Sequence, residues 1–450
     1  MSARIPLPLL TALLGTLGSG TMLSAQEPLT LFDGQSLAGW VTSGGRYDGP
    51  ALWSVEEGAI TGRQGPAKEG GLIYTERFWH SFDLSFETKI DYPFDSGVFL
   101  RMVPPSWEKG EGADRARGGK GLQVTLDHRP GGEIAGIYAD GWLHHCPEGE
   151  KVYKQGEWNQ VRVRMYGTTP RIEVWINGQK TTDYELPADA KGYAPSGRIG
   201  LQVHGGENVP ATQTARFKKV TLRELPVFDR AQFTLDEQNA LQPNDAAQAQ
   251  GWTNLLDPQL SQWQPDGDGK GYAFRDGLLA LLVEGGSHHI ATKKDYRDFA
   301  LRFDFKIAKM ANSGLFLRAA RDGSNPAFSG CEIQILDDYN WETTTNSKLA
   351  PYQFTGGLYG SLPPGVKTAF YPLGRWNTYE IVYRGSRLSV RLNGELLHDV
   401  DTHAVKGEPP FAKRAATGFL GLQRHAPGGI EGDAFAWFKN VYIRELPQDG

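Results

Sequence analysis

The chain says nearly the same thing twice. Phe82-Asp83-Leu84-Ser85-Phe86-Glu87-Thr88-Lys89-Ile90, followed by Asp95-Ser96-Gly97-Val98-Phe99-Leu100-Arg101, returns as Phe299-Ala300-Leu301-Arg302-Phe303-Asp304-Phe305-Lys306-Ile307 followed by Asn312-Ser313-Gly314-Leu315-Phe316-Leu317-Arg318. The offset is 217 residues both from Phe82 to Phe299 and from Arg101 to Arg318. Gly156-Glu157-Trp158-Asn159 matches Gly374-Arg375-Trp376-Asn377, Ile176-Asn177-Gly178 matches Leu392-Asn393-Gly394, and both copies close on Arg-Glu-Leu-Pro, at Pro226 and Pro447. A period this long is not that of a solenoid. It predicts two complete domains of one fold, at 27–226 and 241–447, with a linker over 227–240.

The local pattern says what that fold is. In Phe299-Ala300-Leu301-Arg302-Phe303-Asp304-Phe305 the odd positions face a core while Arg302 and Asp304 face out, and Val161 to Met165 and Ile172 to Ile176 alternate likewise. Asn177-Gly178 and Asn393-Gly394 are hairpin turns, since both residue types tolerate positive φ. With 56 glycines, 27 prolines and almost no helical stripe, the chain reads as all-β: two tandem antiparallel β-sandwiches. One short helix is expected between them, over Leu241 to Ala249, with Pro243 in its first turn and Asp245 at the positive end of its dipole. Trp40, Trp158, Trp263 and Trp376 recur at strand-like positions and are expected in the cores.

A net charge of −5 with no basic cluster argues against a nucleic-acid partner. Arg4, the apolar run Leu9 to Leu17 and the small residues leading to Ala25 read as a signal peptide over 1–25, which predicts a periplasmic or secreted protein. No second apolar run is long enough to span a bilayer. Cys146 and Cys331 sit in different copies without corresponding, so two unpaired thiols are expected.

Several stretches together resemble the 3-keto-disaccharide hydrolase domain family: Leu31-Phe32-Asp33-Gly34-Gln35-Ser36-Leu37-Ala38-Gly39-Trp40, the Ser-Gly-Val-Phe-Leu-Arg block, Glu332-Ile333-Gln334-Ile335-Leu336-Asp337-Asp338, Thr355-Gly356-Gly357-Leu358-Tyr359-Gly360, Trp376-Asn377-Thr378-Tyr379-Glu380 and Gly421-Leu422-Gln423-Arg424-His425. The resemblance covers nearly the whole chain after residue 25, in two copies. It implies a concanavalin A-like jelly-roll. It also implies cleavage of an oligosaccharide or other glycoside whose sugar C3 is already a ketone, supplied by a sugar 3-dehydrogenase. A C3 ketone acidifies the hydrogen on C2, so a placed carboxylate can remove it, and the enolate then needs fixed donors.

The candidate residues follow from this chemistry. Glu332 and Gln334 sit two apart on one strand and so share a face opposite Ile333 and Ile335. Glu332 is the candidate base, Arg318 a charge clamp and His425 an acid or oxyanion donor. Gln334, Tyr359 and Gln423 are substrate-binding candidates, while Trp341, with Tyr352, is a candidate for stacking on a sugar ring. Asp337 and Asp338 are candidates to orient a partner. No cofactor is required by the pattern; a divalent cation at Asp337-Asp338 is left open. Each residue also has a plainer reading: Arg318 as the ion-pair partner of Asp304 or Glu332, Asp337-Asp338 as a turn, His425 as a merely hydrogen-bonded strand-end histidine. His288-His289 and His144-His145 read as surface or loop residues, and no zinc-binding spacing occurs.

The copies disagree at one telling place. Where the second has Glu332 and Gln334, the first has Gln123 and Thr125, although Arg101, Asp127 and His204 remain. Glutamine cannot act as a base near neutral pH, so the chemistry is expected in the second copy and a degenerate site in the first. Two other readings remain open: a pair of lectin-like carbohydrate-binding modules, and a jelly-roll glucanase. The second is suggested by Glu332-x-Gln334-x-x-Asp337, which faintly resembles Glu-x-Asp-x-x-Glu.

Overall fold

In the computed structural model the period-two alternation is realised as two β-sandwiches, each made of two antiparallel sheets. The structure describes residues 28–103, 121–190, 193–206, 210, 212–236, 238–371, 373–425 and 432–447. The segment expected to be a signal peptide, residues 1–25, lies outside them. No described helix is long and apolar enough to cross a membrane.

In the first domain an eight-stranded sheet packs on a seven-stranded one; in the second an eight-stranded sheet packs on a five-stranded one. The five strands run, in spatial order, Trp263–Pro265, His289–Thr292, Phe419–Gln423, Asn312–Ala319 and Cys331–Leu336. The second core joins Leu315, Leu317, Ile333 and Ile335 of this sheet to Phe303, Phe305, Tyr379 and Ile381 of the other. Alternation therefore turns Phe316, Glu332 and Gln334 to the opposite, outer face. Both cysteines are buried and free.

The linker differs from the expected single helix. Phe233–Leu235 and Leu241–Pro243 pair as a small hairpin, and only Asp245–Ala249 is helical, capped by the Asn244 side chain on the Ala247 amide at 2.9 Å. The reason is apolar burial. Leu241 packs with Phe228, Phe233 and Leu225 from the first domain's tail and with Tyr442 from the second domain, and only an extended chain aims it there.

That cluster is one of three contacts that fix the domains together. Arg302 and Asp304, which face away from the core as expected, are nevertheless buried: Arg302 bonds Asp304 at 2.5 Å and the Val227 carbonyl at 3.0 Å. Arg375, standing where the first copy has Glu157, pairs with Glu224 at 2.5 Å and lies over the rings of Trp79 and Tyr371. Trp40 and Trp263 are buried as expected, each donating its indole N–H to a leucine carbonyl, Leu31 and Leu255. Trp158 and Trp376 are not in the cores but half-buried beneath Lys218 and Lys439.

Removing one partner of a buried ion pair leaves the other charged and unpaired. Arg375→Ala is expected to cost roughly 3–5 kcal/mol of stability, measured by chemical denaturation, with Glu224→Ala giving a similar loss and the double variant less than the sum.

Candidate functional site

The outer face of the five-stranded sheet is where the site forms. Partnered residues make one row across it: Gln264 with Ala291, Ala291 with Gly421, Gly421 with Phe316, and Phe316 with Glu332. Glu332 ends this row on the edge strand. Its carboxylate folds over Gly314, where any Cβ would collide with it.

The edge is then covered. The segment Gly356 to Tyr359 lies along Cys331–Leu336, with the Tyr359 amide donating to the Glu332 carbonyl at 2.9 Å and the Gln334 amide to the Gly357 carbonyl at 3.0 Å. Tyr379 donates its hydroxyl to the Gln334 carbonyl at 2.8 Å, and His398 Nε2 donates to the Gly356 carbonyl at 2.7 Å. The Thr355-Gly356-Gly357 motif is thereby accounted for. Gly356 has φ +87, and a side chain on Gly357 would strike the Tyr352 carbonyl.

Over this end of the sheet, beside Tyr359, lies a cavity of about 280 Å³. Of the sequence-derived candidates, Glu332, Gln334, Trp341, Tyr359, Gln423 and His425 all line it. Tyr352 stands behind, edge-on to Tyr359 with ring centres 5.4 Å apart.

Among the described residues Glu332 is the cavity's one carboxylate, only 2% exposed. Among the described residues no cation pairs with it, and burial pushes its carboxyl up to about 8. Tyr359 is raised by burial and then by the Glu332 charge, which places its hydroxyl within that carboxylate's field. The side-chain oxygen of Gln423 is buried without a partner, and such an atom is costly unless a ligand completes it.

Three candidates do not reach the cavity. Arg318 ends its strand with φ +53 and turns the other way, pairing with Asp298 at 3.0 Å rather than with Asp304 or Glu332. It also donates to the carbonyls of Arg297, Gly385 (2.7 Å) and Tyr383, and covers the Tyr383 ring. Arg101 repeats this device in the first domain, donating to the carbonyls of His80 at 2.7 Å and Gly167 at 3.0 Å. The arginine of the shared motif thus closes the sandwich rather than contacting a ligand.

Asp337 accepts from the Met310 amide at 2.8 Å and from Asn340, and Asp338 accepts from Thr355 at 2.9 Å. Asp338 thereby pins the residue before the strap and Asp337 fastens the turn that follows the strand, as the plainer turn reading has it. Burial raises Asp338 to about 7. With their oxygens so engaged, the pair is a poor fit to a cation, and among the described residues no three His, Cys, Asp or Glu side chains are grouped to hold a metal.

Sequence reasoning missed Asn312, Asn325, Phe328 and Gln353, which also line the cavity. Asn312 had a signal: the first copy has Asp95 at that place. It also missed that the exposed His288 and the strand residue His289 line a second, larger cavity over the same sheet.

The first domain closes this face differently. Gln123, partnered with Phe99 as Glu332 is with Phe316, donates to the Gln202 side chain at 2.7 Å. The extra strands Ile134–Tyr138 and Trp142–His144 occupy the edge that the strap takes in the second domain. Asp127 pairs with Asp95 where Leu336 pairs with Asn312, so it is not the counterpart of Asp337.

A twin jelly-roll with a carboxylate-bearing cavity on one sheet face is a fold and site suited to a carbohydrate-active protein. Residues 27–223 and 251–444 each match the family described as 3-keto-alpha-glucoside-1,2-lyase-like domain, and the chain belongs to that family in both halves. It is 24% identical over 227 residues to a 3-keto-disaccharide hydrolase of Bacteroides thetaiotaomicron, covering 41% of this chain and 76% of that protein. Two structures of candidate glycosyl hydrolases from Parabacteroides distasonis are 27% and 30% identical, with TM-scores of 0.38 and 0.36; they cover 46% and 43% of this chain and 99% of each of those chains.

Glu332 also sets a pH dependence. Its folded value of about 8 lies above the ordinary 4.5, so the stability it permits is fully present below the ordinary value and is lost as pH rises to the folded one. The loss is about 1.4 kcal/mol per unit within that window. Glu332→Gln, whose amide can pair with Gln423 as Gln123 does with Gln202, is expected to match wild type in melting temperature near pH 4.5 and to exceed it increasingly up to pH 8.

Proposed function

We propose that the second domain cleaves 3-keto-glycosides by elimination, with Glu332 as the base. The observation that carries this reading is a single buried carboxylate, unpaired, in a cavity otherwise lined by neutral donors and apolar groups. The keto ring lies in the smaller cavity with its C2 hydrogen toward Glu332. The C2–H bond breaks to the carboxylate, the electron pair forms the C1=C2 bond, and the C1–O bond breaks. The departing oxygen takes a proton from His425, and water adding across the double bond completes a net hydrolysis. Tyr359, Gln334 and Gln423, rather than Arg318, supply the hydrogen bonds to the enolate oxygen.

A base whose affinity for protons is raised by burial is stronger once ionised, which suits abstraction from carbon. The glucanase reading is disfavoured because Asp337 is turned away, and a retaining glycosidase needs two carboxylates about 5–5.5 Å apart. The lectin reading would be favoured by a salt-bridged Glu332 on a face lined only by aromatic residues, and its carboxylate has no such partner among the described residues while polar side chains line the cavity. The substrate calls for a preceding oxidation at C3 by a sugar 3-dehydrogenase.

Loss of a general base costs about 10²–10⁴ in rate. Glu332→Gln should therefore abolish most turnover of a 3-keto-disaccharide while leaving the fold intact, and wild-type kcat/KM should rise with pH up to about 8 as Glu332 ionises. Deuterium at C2 should slow the reaction. Undiminished turnover by Glu332→Gln, or equal cleavage of unoxidised disaccharide, defeats the proposal.

We also propose that the protein acts in the periplasm or outside the cell, on the strength of the Arg4, Leu9 to Leu17 and Ala25 pattern. Mass spectrometry of the native protein is expected to find a chain beginning just after Ala25; an intact Met1 terminus would exclude this.

A further inference from the structure

We infer that the larger cavity beside Glu332 is the leaving-group site, and that it takes an extended leaving group of two or more sugar rings laid across the sheet. This rests on the assignment of the keto ring to the smaller cavity. The larger one has a volume of about 780 Å³, nearly three times the 280 Å³ of its neighbour. If the smaller holds one ring, the larger has volume for at least two more.

The two adjoin. Asn325, Gln423 and His425 line both, so the proton donor to the departing oxygen stands at their shared wall. The direction is set by the sheet. From Glu332 the row of partners runs through Phe316, Gly421 and Ala291 to Gln264, which is four strand-to-strand steps, or about 19 Å. That is a groove across the strands rather than a pocket for a small alcohol.

Its floor suits sugar rings, which present flat C–H faces and a rim of hydroxyls. Phe316, Phe419 and Ala291 form an apolar cluster separate from the sandwich core. The His289 ring lies parallel to Phe419 at 5.2 Å and edge-on to Phe316 at 5.9 Å, making an aromatic platform. The platform is held rigidly: Asp266 sits 3.3 Å from His289 Nδ1 and accepts the His288 and His289 amides at 2.7 and 3.0 Å. Gly421 keeps the row open between the two phenylalanines, since a Cβ there would press on both rings. Gln264 and Arg321 stand at the sides as hydroxyl partners.

The test uses the full chain carrying Glu332→Gln, so that ligands are bound without turnover. The probes are glucose and the α-1,4- and β-1,4-linked glucose oligomers of two, three and four residues, each unoxidised and as the 3-ketone of the non-reducing ring, titrated by calorimetry. For one linkage, affinity is expected to rise about tenfold from two residues to three, the scale of one aromatic stacking contact. Adding His289→Ala, or Gln264→Trp at an exposed position, should remove that gain while leaving monosaccharide affinity unchanged. Equal affinity at all lengths, no binding of any probe, or a length gain indifferent to both variants would overturn the inference. Length-dependent binding together with no cleavage of the ketones by wild type would instead keep the groove and discard the keto-sugar chemistry.

Discussion

What sets the second domain apart depends on one backbone pairing, that of Gly356 to Tyr359 with the edge strand Cys331–Leu336. An open edge would leave Glu332 at the rim of a sheet, hydrated and ordinary. With the strap in place the same carboxylate is enclosed between Tyr359 and the sheet, and desolvation alone lifts it to about 8. The cost of removing a charge from water is thus converted into basicity at one place. The residues that fasten the strap, Asp338, Thr355, Tyr379 and His398, do not line the cavity yet hold in place the wall that encloses Glu332.

The first domain shows what the same frame does without that demand. Its edge is completed by two further strands, and Gln123 is satisfied by Gln202. The Gln202 oxygen accepts from Gln123 before any ligand arrives. In the second domain the matching Glu332 and Gln423 leave a carboxylate and an amide oxygen unpaired. Buried polar groups without partners are rare because they are costly, and a site held ready for a ligand is one condition under which they persist.

The fold was legible because alternation, Asn-Gly turns and the repeat all report on backbone geometry, which short sequence stretches determine. Glu332 was legible for a related reason: period two fixed its face, and the exchange for glutamine in the other copy marked it. Arg318 was misread because a side chain at a strand end can go either way, and its turn at φ +53 is not written in residue type. The repeat did hold a clue: Arg101 survives in the copy whose carboxylate is gone, and a residue kept without the chemistry is kept for structure. His289 was missed because its role comes from Phe419 and Asp266, 130 residues downstream and 23 upstream, which no local pattern connects. The linker hairpin failed for the same reason, since Leu241 answers to Phe233 and Tyr442 rather than to its neighbours.

These two economies meet at the domain interface. A carboxylate kept out of water without a counter-ion weakens the domain that carries it, increasingly so as pH rises toward its folded value. The opposing contributions lie outside the cavity. Arg302 ties the eight-stranded sheet to the Val227 carbonyl, Arg375 ties the turn before Asn377–Arg384 to Glu224, and Tyr442 packs with Leu241 and Phe233. All three anchor points belong to the first domain or its tail. Where the repeats differ there, as at Glu157 against Arg375, the change makes a partner for the other copy. The copy without a base is therefore not a spare. It contributes, across an interface of buried ion pairs and aromatic rings, contacts that oppose the instability that the buried, unpaired Glu332 carboxylate builds into its twin.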